Sequence, residues 1–72
     1  MRVYLDANIF IHAAGKEHPL KAPCLAVLAQ VATGDLEAST SVEVLQEIAH
    51  VYRRRGHGEA GVKLVREIME LI

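Results

Sequence analysis

A short apolar run near the start of the chain, which stops abruptly at an acid, limits the fold more than any other feature. Val3, Tyr4 and Leu5 are followed directly by Asp6. The run lacks the alternation of apolar and polar residues that is typical of a strand with one face in water. Strands buried on both faces belong to parallel sheets covered by helices. The run therefore predicts an α/β fold whose first strand ends at Asp6.

A short helix is predicted immediately after this strand. Residues 9–14 are mostly apolar, and Gly15 follows them. Asp6 or Asn8 can cap the start of the helix, because both side chains can accept a hydrogen bond from a free backbone N–H group. Glycine commonly ends a helix, so a polar loop is expected after Gly15.

A second helix is predicted to start at His18-Pro19 and to end at Gly34. Pro23 falls in or near its first turn, where the missing backbone donor of proline costs nothing. Residues 35–39 are too few for a helix and are interpreted as a second strand. The predicted apolar face of the helix consists of Leu25, Leu28 and Ala32.

The third helix has a clear start signal. Thr40 and Glu43 have the spacing of a Thr-x-x-Glu capping box, in which each side chain bonds the backbone N–H group of the other residue. The helix is predicted to end at the run Arg53-Arg54-Arg55-Gly56. Its predicted apolar stripe consists of Val42, Leu45, Ile48, Ala49 and Tyr52.

A fourth helix is predicted from about Gly58 to the end of the chain. The sequence stops within the amphipathic pattern with no glycine, proline or polar tail, so residues 1–72 are expected to be one portion of a single domain. The order β-α-α-β-α-α predicts half of a doubly wound α/β sheet. The apolar face of the fourth helix consists of Gly61, Leu64, Val65, Ile68, Leu71 and Ile72.

Length and composition exclude several classes of protein. A chain of 72 residues is too short for two domains, and 51% hydrophobic with 24% charged residues is too apolar for a disordered chain. The formal net charge of −1 gives no overall attraction to nucleic acid or anionic membranes, so any nucleic-acid contact requires a local patch. A core of this size supplies roughly 3–5 kcal/mol without a metal, a disulfide or a partner. Self-association is therefore expected.

Cysteine usage and hydropathy predict a protein of the reducing cytoplasm. Cys24 is the only cysteine, so a secreted scaffold held by intramolecular disulfides is excluded. No apolar run approaches the roughly 20 residues that cross a bilayer, and Asp6 lies where a signal peptide would continue its apolar stretch. Cys24 itself is interpreted as a packed thiol, since no catalytic base pairs with it.

Asp6 and Glu47 are the candidate functional acids. Functional side chains in an open parallel sheet lie just beyond the carboxyl ends of the strands, where Asp6 is, although helix capping explains that acid equally well. The capping box already explains Glu43. Glu47 lies one turn inside the third helix among apolar residues, where a carboxylate needs a partner to offset its desolvation. The alternative is a solvated glutamate at the edge of the stripe.

The two acids converge at one edge of the sheet if the two predicted strands are parallel neighbours. Two carboxylates without a cluster of cysteine and histidine are typical of a site for a hard cation, Mg²⁺ or Mn²⁺. Water and a substrate phosphate complete the coordination of such an ion. The implied substrate is therefore a phosphate ester.

Two segments of the chain, taken together, resemble a known family. Residues 3–11, Val-Tyr-Leu-Asp-Ala-Asn-Ile-Phe-Ile, and residues 40–48, Thr-Ser-Val-Glu-Val-Leu-Gln-Glu-Ile, closely resemble the first half of PIN-domain proteins, in particular the VapC-type toxins of bacterial and archaeal toxin–antitoxin pairs. The resemblance implies a metal-dependent endoribonuclease on a Rossmann-like fold. For this chain it implies a partial PIN domain with a short parallel sheet flanked by about four helices.

The same resemblance assigns roles to individual residues. It makes Asp6 and Glu47 catalytic residues and ligands of Mg²⁺ or Mn²⁺, and it makes Asn8 a residue that orients Asp6 or caps the helix. It implies an RNA substrate, a cognate antitoxin whose tail blocks the acidic site, and a homo-oligomer. The other carboxylates of the family lie in the second half of the domain, so the active site is expected to be incomplete. The chain is then a fragment, a degenerate gene product or one part of an assembly completed by another chain.

The histidines and the arginine run are interpreted as surface residues. No two histidines have the i, i+4 spacing of a helical zinc site. His50 lies three residues after Glu47 and is a candidate for supporting that carboxylate or for contacting RNA. Arg53, Arg54 and Arg55 lie at a helix C-terminus, where cations interact favourably with the helix dipole. Phosphate binding by these arginines, as an RNA contact, is the alternative interpretation.

A non-enzymatic function is the alternative for the whole chain. A catalytically inactive PIN-like remnant would act as a dimerisation or antitoxin-binding module. A nucleotide-binding half of a Rossmann fold is disfavoured, because no Gly-x-Gly-x-x-Gly loop follows the first strand.

Overall fold

The computed structural model describes residues 2–72 and contains two strands and four helices within them. In chain order these are β1 (Arg2–Tyr4), α1 (Ala7–Ala14), α2 (Lys21–Thr33), β2 (Glu37–Ser39), α3 (Val42–Arg54) and α4 (Gly58–Leu71). This order confirms the predicted α/β class. None of these helices within residues 2–72 is long and apolar enough to cross a membrane.

The two strands form a parallel pair, as predicted. The register places Val3 opposite Ala38 and Tyr4 opposite Ser39. The backbone N–H of Leu5 donates a hydrogen bond of 2.8 Å to the carbonyl oxygen of Ser39, which extends the ladder by one residue beyond β1. Because the strands are parallel, their carboxyl ends lie at the same edge of the sheet.

One face of β1 is open to solvent. Tyr4 is 60% exposed, whereas Val3 is half-buried and Leu5 is buried. The prediction of a strand buried on both faces is therefore wrong for residues 2–72. Successive side chains of a strand point to opposite faces, and the helices described here pack against the face that carries Val3 and Leu5.

The start of α3 differs from the prediction by one residue. Ser41 is the N-cap, and its Oγ atom accepts a hydrogen bond of 3.2 Å from the backbone N–H of Val44. The predicted capping box at Thr40 is wrong, because the hydroxyl group of Thr40 instead donates a hydrogen bond of 2.9 Å to the carbonyl oxygen of Leu5. A contact between distant segments thus determines which of the two adjacent hydroxyl residues caps the helix.

The start of α2 also differs from the prediction. The helix begins at Lys21 rather than at His18-Pro19, because a turn precedes it in which the N–H of Lys21 donates to the carbonyl oxygen of His18 at 2.9 Å. The end of the helix is as predicted. Gly34 has a φ of 88°, a left-handed conformation that glycine adopts easily, and its N–H bonds the carbonyl oxygen of Val31.

The hydrophobic core lies where α1, α3 and α4 meet beyond the end of β1. Phe10 and Ile48 are its largest fully buried side chains. The complete set of buried core residues in this cluster is Leu5, Ala7, Phe10, Val44, Ile48 and Ile68.

Two of the predicted apolar faces are partly wrong. In α3, Val42 is 66% exposed, and Val44, which is outside the predicted stripe, is buried. In α2, Leu25 is 46% exposed, whereas Cys24 is buried, as expected of a packed thiol. Helix α2 carries apolar residues on several sides, so periodicity alone does not define its buried side. Helix α3 has one broad apolar face, and the neighbouring elements cover only the part of it that carries Val44 and Ile48.

Candidate functional site

Asp6 lies directly beyond the carboxyl end of β1 and starts α1. Its Oδ1 atom accepts a hydrogen bond of 2.7 Å from the backbone N–H of Ala7, so Asp6 is the N-cap of the helix. The side chain is nevertheless exposed to solvent. Capping therefore occupies one carboxylate oxygen and leaves Oδ2 accessible to another partner.

Asn8 does not cap α1. It is the second residue of the helix and is exposed. The prediction that it caps the helix is wrong, because Asp6 already accepts the hydrogen bond at the helix start. Its suggested role in orienting Asp6 stays a prediction.

Hydroxyl groups hold together the two loops at this edge of the sheet. The Tyr4 hydroxyl and the Ser41 Oγ atom lie 3.0 Å apart, within hydrogen-bonding distance. Thr40 bonds the Leu5 carbonyl, as described above. The sequence contains a signal for this arrangement, since Thr40 and Ser41 directly follow the second predicted strand as Asp6 follows the first. Which group each hydroxyl bonds becomes visible only in the structure.

Glu47 lies near the middle of α3 and is exposed to solvent. Leu45 and Ala49 line a shallow apolar groove together with Val62 and Val65 of α4. Glu47 is about 160° around the helix from Leu45, so it lies on the flank of α3 that is turned away from α4. The expectation of a desolvated carboxylate is wrong, whereas the alternative of a solvated glutamate agrees with its exposure.

The topology brings Asp6 and the first turn of α3 to one edge of the sheet. Asp6 follows β1, and Ser41 follows β2, which is the parallel neighbour of β1. Helix α3 also packs against α1, the helix that Asp6 caps. Glu47 lies about 9 Å along the axis of α3 from Ser41. Joint binding of one ion by Asp6 and Glu47 stays a prediction.

The donor atoms at this edge are hard oxygen ligands. Within residues 2–72, no group of three or more histidine, cysteine, aspartate or glutamate side chains is close enough to hold a metal ion. Mg²⁺ and Mn²⁺ bind carboxylate oxygens, and Mg²⁺ keeps several of its water molecules, so one or two carboxylates suffice. A structural zinc site needs four nitrogen or sulfur ligands. The chemistry of Asp6 and Glu47 therefore fits Mg²⁺ or Mn²⁺ and not structural zinc.

The arginine run lies at the opposite end of α3 from the sheet edge. Arg53 and Arg54 occupy the last turn and Arg55 is the C-cap; all three are exposed. These arginines are 12 to 14 residues from Ser41, so they lie roughly 18–21 Å along the helix from it. The structure thus does not bring these arginines beside Asp6. His50, on the same helix, is also exposed.

Comparison with known proteins gives the chain a family. Ribonuclease VapC7 of Mycobacterium tuberculosis is 42% identical over 53 residues, which cover 74% of this chain and 37% of that protein. Ribonuclease VapC23 of Mycobacterium tuberculosis is 29% identical over 72 residues, which cover 96% of this chain and 57% of that protein. The chain thus spans 37% to 57% of the length of these curated relatives. No solved structure gives a significant match.

The match to a family model agrees with the fold and extends over nearly all of the sequence. The model of the PIN domain matches residues 3–71, a range that contains α1 to α4, β2 and all of β1 except Arg2. Both candidate acids lie within it. The chain therefore belongs to the PIN domain family.

Proposed function

We propose that this chain carries part of the active site of a metal-dependent endoribonuclease of the VapC type. The observation that carries the proposal is the parallel pairing of β1 with β2, because it brings Asp6 and the start of α3 to one edge of the sheet. The two relatives described above are named ribonucleases. Their names support RNA as the substrate.

In this proposal, Asp6 and Glu47 are the catalytic residues and hold Mg²⁺ or Mn²⁺. Both carboxylates are exposed, so each can reach an ion that keeps part of its water shell. When bound, the ion polarises a phosphoryl oxygen and lowers the pKa of a bound water molecule.

Residues of the chain itself keep the acidic edge in one geometry. The N–H of Ala7 fixes Oδ1 of Asp6, which restricts the orientation of the carboxylate. The hydrogen bond from Thr40 to Leu5 holds the loop that follows β2 against the residue that precedes Asp6. We propose that Asn8, one residue into α1, contributes to the orientation of Asp6 when substrate or ion is present.

The proposed partners are an RNA strand, a cognate antitoxin protein and a second copy of the chain. Arg53, Arg54 and Arg55 are proposed as contacts for RNA at a distance from the scissile phosphate, since they lie at the far end of α3. The proposed compartment is the cytoplasm, where RNA is available and where the free thiol of Cys24 stays reduced.

We further propose that residues 1–72 correspond to the N-terminal portion of a single PIN domain with an incomplete active site. The chain spans 37% and 57% of the length of its two relatives. Two carboxylates supply less negative charge than a full set of ligands. Metal binding and catalysis are therefore expected to be weaker than in a complete domain.

The test is cleavage of single-stranded RNA with and without Mg²⁺ or Mn²⁺. We expect cleavage that EDTA abolishes, and a reduction of at least about tenfold in Asp6→Asn and in Glu47→Gln. Glu43→Gln is the matched control, because Glu43 is exposed on the same helix one turn away. Equal cleavage by wild type and Asp6→Asn would remove the nuclease function from this chain.

A metal-binding readout complements the cleavage assay, because an incomplete site can bind an ion without turnover. Mn²⁺ broadens the NMR signals of nuclei near its binding site. We expect broadening around Asp6 and Glu47 in the wild type and in Glu43→Gln, and its loss in the two ligand variants. Broadening that persists in Asp6→Asn contradicts the assignment of this ligand.

A binding module is the second candidate, and a specific surface favours it. An apolar groove of about 270 Å³ lies between α3 and α4. Val42 and Val62 on its sides are 66% and 55% exposed. Such a surface is suited to an apolar partner, either a second copy or an antitoxin segment. If a second copy covers the groove, Val62→Glu should abolish the self-association measured by sedimentation velocity. The RNA cleavage assay distinguishes this candidate from the nuclease, because a binding module does not cleave RNA.

A further inference from the structure

A cleft at the end of α1 and α3 farthest from Asp6 collects most of the histidines of the chain. Its volume is about 840 Å³. Three of the four histidines, His12, His18 and His57, line it. His57 is distant from the other two in the sequence, so the spacing of the histidines does not predict the cluster. The charged and phenolic side chains that also line the cleft are Lys16, Glu17, Tyr52 and Arg55.

One wall of the cleft is the loop between α1 and α2, which hydrogen bonds hold at both ends. The Nζ atom of Lys21 donates to the carbonyl oxygen of Gly15 at 2.6 Å. The backbone N–H of Leu20 donates to Nδ1 of His18 at 3.0 Å. The His18 ring stacks on the ring of His12 with 4.5 Å between centroids and 27° between planes. These contacts give the wall a flat aromatic surface in a defined position.

The other wall is the tight turn that follows α3. The N–H of His57 donates to the carbonyl oxygen of Tyr52 at 2.8 Å, and the N–H of Gly56 donates to that of Arg53 at 3.0 Å. Gly56 has a φ of 79°, a left-handed conformation that lets the chain reverse here. The turn carries Arg55 and His57 to the cleft.

The cations that line the cleft outnumber its carboxylates, and they form no ion pair among the described residues. Among residues 2–72, the only ion pair within 4.0 Å joins Arg2 to Glu37, on the sheet. Lys16 and Arg55 against Glu17 give the cleft a formal charge of +1 with neutral histidines, although the whole chain has a formal charge of −1. The sign of this local charge favours an anionic ligand.

We propose that this cleft binds a nucleoside phosphate. Arg55 and Lys16 bind the phosphate group through charge-assisted hydrogen bonds. The base lies against the ring of His18, which is exposed and stacks on the ring of His12, because aromatic side chains stack on the flat faces of bases. A combination of unpaired cations with flat rings suits a nucleotide better than inorganic phosphate, which uses the cations alone. The ligand is either a free nucleotide or one nucleotide of an RNA strand.

This site is separate from the acidic edge of the sheet. Asp6 caps the N-terminus of α1, whereas His12 lies in its last turn. An eight-residue helix is roughly 12 Å long, so the two sites lie at opposite ends of α1. Binding at the cleft requires neither a divalent ion nor cleavage. The inference therefore does not rest on the proposed ribonuclease function.

The test is an NMR titration of the ¹⁵N-labelled chain with adenosine 5′-monophosphate in EDTA, which keeps divalent ions out of the acidic edge. We expect saturable shifts at the backbone amides of residues 16–18 and 55–57. Adenosine and inorganic phosphate should each bind at least about tenfold more weakly, because each lacks one of the two recognised groups. The absence of saturable shifts in these two segments overturns the proposal.

A matched pair of variants tests the role of the guanidinium group. Arg55→Gln should weaken nucleotide binding by about tenfold. Arg66→Gln removes the same charge from an exposed side chain of α4 that does not line the cleft, and should change binding by less than about twofold. An equal loss in both variants indicates general charge attraction and overturns the proposal, as does unchanged binding in Arg55→Gln.

A titration with a short single-stranded oligoadenylate distinguishes the two sources of the ligand. Binding about tenfold or more tighter than that of the mononucleotide, with shifts in the same two segments, assigns the cleft to an RNA strand. Equal affinity assigns it to a free nucleotide, and both results support the site. Shifts that avoid residues 16–18 and 55–57 contradict it.

Discussion

The hydroxyl group of Thr40 donates a hydrogen bond of 2.9 Å to the backbone carbonyl of Leu5. This contact joins the residue before Asp6 to the residue after β2. Together with the bond from the Leu5 N–H to the Ser39 carbonyl, it continues the parallel pairing into the loops. The acidic edge thus depends on a side chain and not only on the backbone ladder.

Replacement of Thr40 by valine should destabilise the chain by about 1 kcal/mol. Valine keeps the shape of threonine but cannot donate, so the carbonyl of Leu5 loses its partner in a partly buried place. Urea denaturation followed by circular dichroism measures the change. Thr33→Val is the control, since the hydrogen bonds of the Thr33 hydroxyl group are exposed. This substitution should lower the free energy of unfolding by less than about 0.5 kcal/mol. Equal effects of the two substitutions contradict the role of Thr40.

Two substitutions of Asp6 should separate helix capping from ion binding. Asp6→Asn keeps an oxygen that accepts from the Ala7 N–H, so it should change the free energy of unfolding by less than about 1 kcal/mol. Asp6→Ala removes the cap and should cost about 1 kcal/mol more. Both variants should lose Mn²⁺ binding. If Asp6→Ala and Asp6→Asn have the same free energy of unfolding, the cap at Asp6 makes no measurable contribution to stability.

Replacement of Gly61 by alanine should force α3 and α4 apart. Its Cβ atom would lie 2.7 Å from the Cβ atom of Tyr52, so one of the two helices has to move. We expect a loss of about 1–3 kcal/mol in thermal denaturation. Gly58→Ala is the matched control in the same helix, because its Cβ atom meets nothing within 4 Å. The Gly58→Ala variant should be as stable as the wild type or more stable by up to about 1 kcal/mol. A Gly61→Ala variant as stable as the wild type would contradict the close packing of α3 and α4.

Ile48→Ala should leave much of the protein unfolded at room temperature. Ile48 is fully buried at the centre of the core. Its truncation costs about 2–5 kcal/mol, which is comparable to the whole stability expected of so small a core. Loss of helical circular dichroism measures the effect. Val62→Ala is the control, because Val62 is 55% exposed, and it should keep the native spectrum. If Ile48→Ala keeps the native spectrum as well, Ile48 does not dominate the stability of the core.

Local signals in the sequence predict the order of the elements. Gly34 ends α2 at the predicted residue, because the left-handed φ of 88° is a property of that residue alone. Asp6 starts α1 with a hydrogen bond to the next residue in the chain. The position of this acid after a strand also follows from sequence. Such features depend on residues a few positions apart, so no knowledge of the fold is needed to predict them.

Local sequence signals predict the position of Asp6 in the candidate site, but they do not predict the solvent exposure of Glu47. Asp6 follows a predicted strand, and it lies at the carboxyl end of β1. For Glu47 the sequence leaves two alternatives, a desolvated carboxylate and a solvated glutamate, and the structure shows an exposed side chain. Its exposure depends on where α3 meets α4 and α1, which the sequence pattern does not define.

The β-α-α-β-α-α order of the elements and the acid at the end of the first strand follow from the sequence alone. The fold establishes that β1 pairs with β2, that Ser41 rather than Thr40 caps α3, and that Val44 rather than Val42 is buried. It also brings His12, His18 and His57 to one cleft. This division follows from the range of the interactions. Caps and helix ends form between near neighbours, whereas the bond from Thr40 to Leu5, the buried side of α3 and the histidine cleft each require segments that are distant in the chain to meet.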